Sequence, residues 1–460
     1  MAEGSDSLIV PGLRLDKGEG LAEALRCLRE FSPRVFLVQG GDAEDLSWFH
    51  ETLEDQAGHP ILFCSPLERG AGQEIDGLTP LPDAWALGLL GEDACHEAGH
   101  RTAAEAATAQ VRWILGPSLD LHSMEAGDTR SPIVGNRSFG GHPEKITACA
   151  GAWAAGVTEA GGIPCGMHFP GHGASSQDTF FESAICFEED IETHLAPFRD
   201  LMDVLPSMMV GHVEYPLMDP EGRPASRSPI FLNMLREDWG YKGLILTDSL
   251  KKAGFGEPRE EMAVEAVRAG VDLLLDPPDP VATALSLRFA QENGELEEGR
   301  VSSASKRLDR IFSLAEADTS IPRPLVLGGG AKSLLKPLPG GSGGRFHPRP
   351  LLALGLAATR DAVNCLEDFG VPVVGPECPP PEDFPGTLLI LLGAVPGKGQ
   401  PDIPESWLDA IHTHHPILYV AGSPDAGERV PASSRGWSLP GLSPTLLGLI
   451  LAGTEEEAEA

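Results

Sequence analysis

The feature that most constrains the fold is an alternation of short apolar runs with longer amphipathic segments. Such segments include "GLAEALRCLREF" and "REEMAVEAVRAG". About eight runs have the length and β-branched content of buried strands: "SLIVPG" from Ser7, "VFLVQG" from Val35, "ILFCS" from Ile61, "WILGPSLD" from Trp113, "PCGMHF" from Pro164, "SMMVGH" from Ser207, "GLILTDS" from Gly243 and "VDLLLDP" from Val271. Strands that alternate with helices over about 250–300 residues predict a (β/α)8 barrel of the TIM type. Polar residues follow the strands, at the end where such a barrel places its active site.

The composition changes at about Ile321, which predicts a second domain. We expect a barrel over residues 1–320 and a Gly/Pro-rich linker over 321–348. Four further apolar runs, "LLALGLAA", "VPVVG", "TLLILLGA" and "PILYVAGS", predict a smaller parallel α/β sandwich domain over 349–453. Residues 454–460 form an acidic tail, which we expect to be solvated.

The charge of the chain argues against two classes of partner. The formal net charge is -34, so neither nucleic acid nor an anionic membrane surface is expected to bind. No signal peptide and no apolar run long enough for a membrane span are visible. Eight scattered cysteines without a CxxC pair indicate reduced thiols, and we therefore expect a cytoplasmic protein.

Three short motifs have ordinary structural interpretations. "HEAGH" at His96–His100 has the spacing of a zinc-protease helix, but Gly99 weakens a helix and a third ligand is missing, so we predict an exposed helix. "GGGAKS" before Ser333 lacks the order of a phosphate loop, and "HTHH" at His412–His415 is expected to be a solvated helix end. No GxGxxG follows a strand. The sequence thus predicts no metal and no cofactor.

The more specific signal is a series of long motifs along the predicted barrel. They are "LERGAGQ", "LTPLPDAWALG", "LGPSLDL", "IVGNRSFGGHPEK", "HFPGHG", "MMVGHVEYPLMDPEGRPASRSP", "LREDWGYKGLILTDSL" and "AGVDLLL". With these motifs in this order, the chain resembles glycoside hydrolase family 3, especially its bacterial β-N-acetylhexosaminidase branch. The resemblance implies a glycosidase with a small carbohydrate substrate and a retaining mechanism, in which a carboxylate attacks the sugar and an acid protonates the leaving oxygen.

The resemblance also implies roles for individual residues. Asp248 in "TDSL" matches the nucleophile, and Asp178 matches the aspartate that orients the acid/base histidine. Four further residues match or accompany the substrate-binding positions: Arg137 in "GNRSFG", His168 and His172 in "HFPGHG", and Glu68 in "LERG".

Three positions depart from the family pattern within this one site. The family's acid/base histidine is Phe180 here, its substrate-binding lysine is Met167, and the aspartate that opens its "DLERG" stretch is Pro66. The loss of a general acid typically costs about 10²- to 10⁴-fold in rate. Two functions therefore stay open: an impaired glycosidase, or a catalytically inactive barrel that binds a sugar or a protein. The groups that could replace the acid are His172, Asp178, Glu182, Glu377, Glu382 and Glu405.

Overall fold

A computed structural model describes residues 4–15, 20–122, 134–173, 175, 177–187 and 191–315, together with six short strands between Lys336 and Ser438. The chain divides into two units. The first comprises Met1–Pro80 and Gly91–Leu325, and the second comprises Leu81–Leu90 and Val326–Ala460. The segment Leu81–Leu90, which the sequence places in the barrel, thus groups with the second unit.

The first unit is built on a seven-stranded parallel sheet. In spatial order its strands are β10 (Leu244–Thr247), β8 (Ser207–Val210), β6 (Ile163–Phe169), β5 (Val111–Ser118), β4 (Leu62–Ser65), β3 (Val35–Gln39) and β2 (Gly12–Arg14). β1 (Ile9–Val10) pairs in parallel with β11 (Leu274–Leu275), and a parallel bridge joins Leu246 to Leu273. Each of the eight predicted runs overlaps one or two of these strands, and the arrangement is a TIM-like barrel.

Ten α-helices lie among the described residues of the chain. They are α1 (Gly20–Phe31), α2 (Ala43–Ala57), α3 (Ala84–Leu90), α4 (Glu92–Ala106), α5 (Pro143–Glu159), α6 (Glu192–Leu201), α7 (Pro229–Asn233), α8 (Arg259–Ala269), α9 (Pro280–Glu292) and α10 (Glu298–Ala315). Local sequence sets several helix starts: Asp42 and Asp279 cap α2 and α9 with their carboxylates, and each accepts hydrogen bonds from free backbone N–H groups. Of the described residues, no helix is long and apolar enough to cross a lipid bilayer.

The barrel strands are largely apolar because both of their faces are covered. All residues of β4, β6, β8 and β10 are buried. The few polar groups inside are paired: the Trp113 indole N–H donates to the Ser207 hydroxyl at 2.9 Å, and this hydroxyl donates to the Pro164 carbonyl at 3.0 Å. The packed interior leaves chemistry to the strand ends.

The "HEAGH" motif lies in α4, but the prediction that this helix is exposed was wrong. Most of its last three turns are buried, because α4 crosses α5 at very short range. A Cβ atom on Gly99 would lie 2.0 Å from the Trp153 carbonyl oxygen, and one on Gly156 would lie 2.0 Å from that of His96. His96 itself pairs with Glu159 of α5 at 3.1 Å. The glycine therefore serves helix packing, and among the described residues no group of His, Cys, Asp or Glu is arranged to hold a metal ion.

The loops at the C-terminal end of the barrel are tied to one another. β7 (Ala184–Ile185), in the loop after β6, pairs in parallel with β9 (Val213–Glu214), in the loop after β8. The same β6 loop accepts two backbone hydrogen bonds from the loop after β10: Gly254 N–H donates to the Thr179 carbonyl at 2.8 Å, and Ala253 N–H donates to that of Phe180 at 3.3 Å. Three consecutive strand ends thus share one connected loop system.

The described part of the second unit beyond the barrel is a six-stranded sheet. Its spatial order is β12 (Lys336–Pro337), β17 (Arg435–Ser438), β16 (Ile417–Ala421), β15 (Thr387–Leu392), β13 (Leu351–Leu356) and β14 (Val373–Val374). β12 is antiparallel to β17, and the other neighbours are parallel. β13 to β16 fall within the four apolar runs of the sequence, and β12 falls within the predicted linker. The "GGGAKS" and "HTHH" motifs and the acidic tail lie outside the described residues.

Candidate active site

Asp248 follows β10 directly and lies at the C-terminal end of the barrel. It is only 6% exposed, and its backbone N–H donates to the Val210 carbonyl at 2.9 Å. One carboxylate oxygen accepts the Ser249 backbone N–H at 2.7 Å, and the other accepts the Lys252 ammonium at 2.6 Å. Burial by itself would raise the pKa of Asp248, but the charge and hydrogen bond of Lys252, together with His168 and His212, hold this pKa well below its usual value. The carboxylate is therefore ionised at neutral pH.

Asp120, two residues beyond β5, organises the start of the β6 loop. Its carboxylate is buried and accepts the His168 ring Nδ1–H at 2.8 Å, the His172 backbone N–H at 2.7 Å and the Ser118 hydroxyl at 3.0 Å. Burial opposes ionisation, yet the interactions with His168 and His172 together lower the pKa of Asp120 well below its usual value. Because Asp120 accepts from Nδ1, Nε2 of His168 is left to interact on the other side of the ring.

Arg137 lies on that side. Its Nη2 is 3.4 Å from Nε2 of His168, and the guanidinium forms a fork with the Glu68 carboxylate: Nε is 3.1 Å from both oxygens, and Nη2 is 2.7 Å from Oε1. About a third of the Arg137 side chain remains exposed (34%). Glu68 thus fixes one edge of the arginine, and the remainder can donate to a ligand.

The pair Arg137 and Glu68 and the pair Asp248 and Lys252 influence each other electrostatically. Burial by itself would lower the pKa of Arg137, but Glu68, Asp120 and Asp248 together raise it above its usual value. Among the charges that lower the pKa of Asp248, that of His168 follows Lys252. The ends of β5, β6 and β10 and the loop after β4 therefore bring Asp120, His168, Asp248 and Glu68 to one side of the barrel.

Two buried histidines complete the region. His172 is 3% exposed, and neither of its ring nitrogens has a hydrogen-bond partner within the described chain. Burial lowers the pKa of His172 to about 4, and burial does the same for His212, so both rings are neutral at pH 7. His212 follows β8 and is fully paired: Nε2 donates to the Ser249 carbonyl at 3.0 Å, and Nδ1 accepts the Ser226 hydroxyl at 2.8 Å. It thereby fixes the backbone next to Asp248.

The position of the expected acid is held by an aromatic side chain. The Asp178 carboxylate accepts the backbone N–H of Phe180 at 2.9 Å. The Phe180 ring is 53% exposed and contacts the ring of Phe181 edge-on, with 5.2 Å between centroids. A phenyl ring carries no exchangeable proton. In this structure Asp178 therefore shapes the loop and does not orient an imidazole.

These side chains bring three kinds of polar group to one side of the barrel. Asp248 offers a buried anionic oxygen, Arg137 offers N–H donors, and Nε2 of His168 is a ring nitrogen that can form a hydrogen bond with a hydroxyl group. Proton transfer at the Phe180 position is absent.

The sequence reasoning identified Arg137, His168 and Asp248, which the structure brings together, but it missed three polar residues beside them. Asp120 is the last polar residue of the quoted "LGPSLDL" motif, and His212 follows a predicted strand, so strand-end position could have indicated both. Lys252 stands four residues after Asp248, a spacing that suits an ion pair only once the local turn is known.

Comparison with known proteins agrees with this geometry. A sequence model described as "Glycosyl hydrolase family 3 N terminal domain" matches residues 43–311, more than half of the chain. The chain belongs to glycosyl hydrolase family 3. Among its family 3 relatives, the beta-hexosaminidase of Tolumonas auensis is 34% identical over 251 residues, which cover 51% of this chain and 71% of the relative. The beta-hexosaminidase of Methylococcus capsulatus is 34% identical over 275 residues, 56% of this chain and 80% of the relative.

A solved family 3 structure shows the same fold. The glycoside hydrolase family 3 beta-N-acetylglucosaminidase from Paenibacillus sp. has a TM-score of 0.81 at 21% identity, and the match covers 99% of this chain and 97% of that one. The family prediction made from the motifs is confirmed.

Proposed function

We propose that this family 3 protein is a retaining glycosidase of the β-N-acetylhexosaminidase type, with Asp248 as its nucleophile. The observation that carries the proposal is the buried, ionised carboxylate of Asp248 at the end of a barrel strand. A retaining glycosidase needs such an oxygen to attack the anomeric carbon and form a glycosyl-enzyme. The names of the beta-hexosaminidase relatives support the choice of substrate class.

We assign sugar binding to Arg137 and His168. Glu68 and Asp120 hold these two side chains, so the N–H groups of Arg137 and Nε2 of His168 are oriented before a ligand arrives. Glu68, which the sequence resemblance assigned to substrate, is better described as the residue that positions Arg137.

Slow turnover of natural glycosides follows from Phe180. Of the candidates for a replacement acid, His172 is buried and neutral at pH 7, and Asp178 has one oxygen bound to the loop backbone. Glu182 is exposed on the same loop, whereas Glu377, Glu382 and Glu405 lie outside the described residues. We therefore assign protonation of the leaving group to no fixed side chain, and we expect the reaction to depend on the quality of the leaving group.

The test uses dinitrophenyl glycosides, including the N-acetylglucosaminide, glucoside and xyloside. Dinitrophenolate departs without a proton, so the first step needs only the carboxylate and the residues that bind the sugar. The second step lacks a base, so the glycosyl-enzyme should accumulate. Mass spectrometry should show one added sugar that maps to Asp248.

Two variants control this experiment. Asp248→Asn keeps the shape of the side chain and should form no adduct. Phe180→His places an imidazole two residues after Asp178 and should speed breakdown of the adduct by about 10²-fold or more. If no sugar of the panel forms an adduct, Asp248 is not a nucleophile and the hydrolase assignment fails.

A second function, binding without turnover, is favoured by one specific contact. Lys252 neutralises Asp248 at 2.6 Å and thereby reduces its nucleophilicity. Under this alternative, N-acetylglucosamine should bind measurably by calorimetry and Arg137→Ala should weaken binding several-fold, while no adduct forms.

We further propose that the second unit is the smaller parallel α/β sandwich domain of the family. Its mostly parallel six-stranded sheet and the near-complete match to the Paenibacillus fold support this assignment.

A further inference from the structure

A cavity opens at the N-terminal end of the barrel, opposite the end that carries Asp248. Its volume is about 630 Å³, within the range of roughly 300–1,000 Å³ that is typical of small-molecule sites. Its wall comes from residues that precede or begin β6, β8 and β10 and from the last turns of α10. The buried apolar lining includes Ile163, Leu205, Leu244 and Ile311. Two exposed apolar side chains, Val204 (60%) and Leu314 (45%), stand at its mouth.

Positive charge surrounds this apolar space. Lys242 and Arg310 line the cavity, both are exposed, and neither has an ion pair or side-chain hydrogen bond with any described residue. Asp203 is the one acidic residue among the described lining residues. In a chain with a formal net charge of -34, a local surplus of cations runs against the charge of the whole surface.

A buried cluster behind the cavity adds to the surplus. Three arginines, Arg236, Arg300 and Arg307, share the single buried carboxylate of Asp272. Arg307, whose Nη1 lies 3.0 Å from Asp272, also lines the cavity. Burial lowers the pKa of Arg236 to about 10, and the neighbouring guanidinium groups contribute. Desolvated cations that outnumber their counter-ions are unfavourable, and an anion nearby would relieve them.

We propose that this cavity binds an amphiphilic anion, namely an alkyl chain that ends in a carboxylate or a phosphate. The chain would occupy the apolar wall around Leu205 and Ile311, and the head group would lie between Lys242 and Arg310, with Arg307 behind them. A neutral amphiphile would gain only the apolar contacts. A polyanion would be repelled by the acidic surface of the protein. The site is independent of the reaction at Asp248.

The test measures binding of octanoate, octyl phosphate and octanol to the full-length protein by calorimetry, below the concentrations at which they aggregate. Both anions should bind with a stoichiometry of one, and octanol should bind clearly more weakly. A difference between octanoate and octyl phosphate identifies the preferred head group. Lys242→Ala combined with Arg310→Ala should weaken anion binding roughly five-fold or more, on the scale of one exposed ion pair for each cation.

Two further variants separate this site from non-specific binding. Val204→Glu places a carboxylate at the mouth and should also weaken binding of the anions; because the side chain is exposed, the fold should tolerate it. Lys306→Ala removes one positive charge, as each of the two cavity changes does, from an exposed position of α10 outside the cavity and should have no effect. Three results would overturn the proposal: no binding to the full chain, equal affinity for octanol, or an affinity that the Lys242 and Arg310 changes leave unaltered.

Discussion

At the scale of single residues, Asp248 is both activated and restrained. Burial excludes water from the carboxylate, which favours attack on a bound sugar. The Lys252 ammonium, four residues further along the chain, keeps the carboxylate ionised but withdraws charge from the oxygen it contacts. The contribution of Lys252 to the pKa of Asp248 can be measured from the pH dependence of the first chemical step.

Lys252→Met should move the acid limb of adduct formation to higher pH. Attack requires the ionised carboxylate, and Lys252 lowers the pKa of Asp248. Without this charge, burial raises the pKa, so the rate should fall at a pH about one unit or more higher than in the wild type. The measurement is the rate of dinitrophenolate release across the acid range.

Lys251→Met provides the matched control. Lys251 is the adjacent residue but pairs with Asp276 at 2.6 Å instead of with Asp248. Its variant should leave the acid limb in place. Identical profiles for Lys252→Met and the wild type would show that Lys252 does not set the ionisation of the nucleophile.

At the scale of secondary-structure elements, close backbone approach explains a motif that the sequence left ambiguous. α4 and α5 cross where Gly99 and Gly156 face the backbone of the partner helix. Glycine disfavours a helix by about 1 kcal/mol relative to alanine, so its presence within both helices indicates that packing outweighs propensity.

Gly99→Ala should therefore destabilise the protein by about 1–3 kcal/mol, in spite of the higher helix propensity of alanine. The added Cβ would lie 2.0 Å from a carbonyl oxygen of α5, and the helices would have to separate. Gly299→Ala in α10 is the matched control, since nothing lies within 4 Å of its Cβ position. That change should stabilise the helix by up to about 1 kcal/mol. Urea unfolding that gives the same sign for both variants would contradict the role of the crossing.

At the scale of the whole molecule, the buried histidines make stability depend on pH. The pKa values of His172 and His212 are lowered to about 4 by burial, against about 6.5 in the unfolded chain. Between these values the unfolded state binds more protons, so stability is lost as the pH falls from about 6.5 to about 4. The lowered pKa values of Asp120 and Asp248 affect stability in a more acidic range. Their contribution to the free energy of unfolding is lost only as the pH falls below the unfolded value near 3.9.

His172→Leu should reduce this acid sensitivity. Between pH 7 and pH 5 the wild type should lose about 2 kcal/mol of its free energy of unfolding because of His172. The variant should lack this part of the loss. The measurement compares free energies of urea unfolding at the two pH values. His142→Gln, at an exposed position, should retain the full wild-type difference. If His172→Leu also retains it, the ring is protonated in the folded protein and the lowered pKa is wrong.

The sequence alone determined the barrel and the end of it that bears the site. Runs such as "VFLVQG" and "GLILTDS" begin with a continuous apolar stretch, because a strand covered on both faces is mostly apolar, and this signal is local. Asp248 and His168 could be selected because they stand at the ends of such runs, and the long motifs around them identified the family.

Only the tertiary structure decided how these residues are held. Glu68 meets Arg137 across 69 positions of the chain, and Asp120 meets His168 across 48. Neither pairing leaves a local pattern, since it arises only when neighbouring strands come into register. The crossing of α4 and α5 at Gly99 and the cavity at the N-terminal end of the barrel likewise arise from packing. Local periodicity in the sequence predicts the strands and helices. The partners of buried charges depend on contacts between segments that are distant in the sequence.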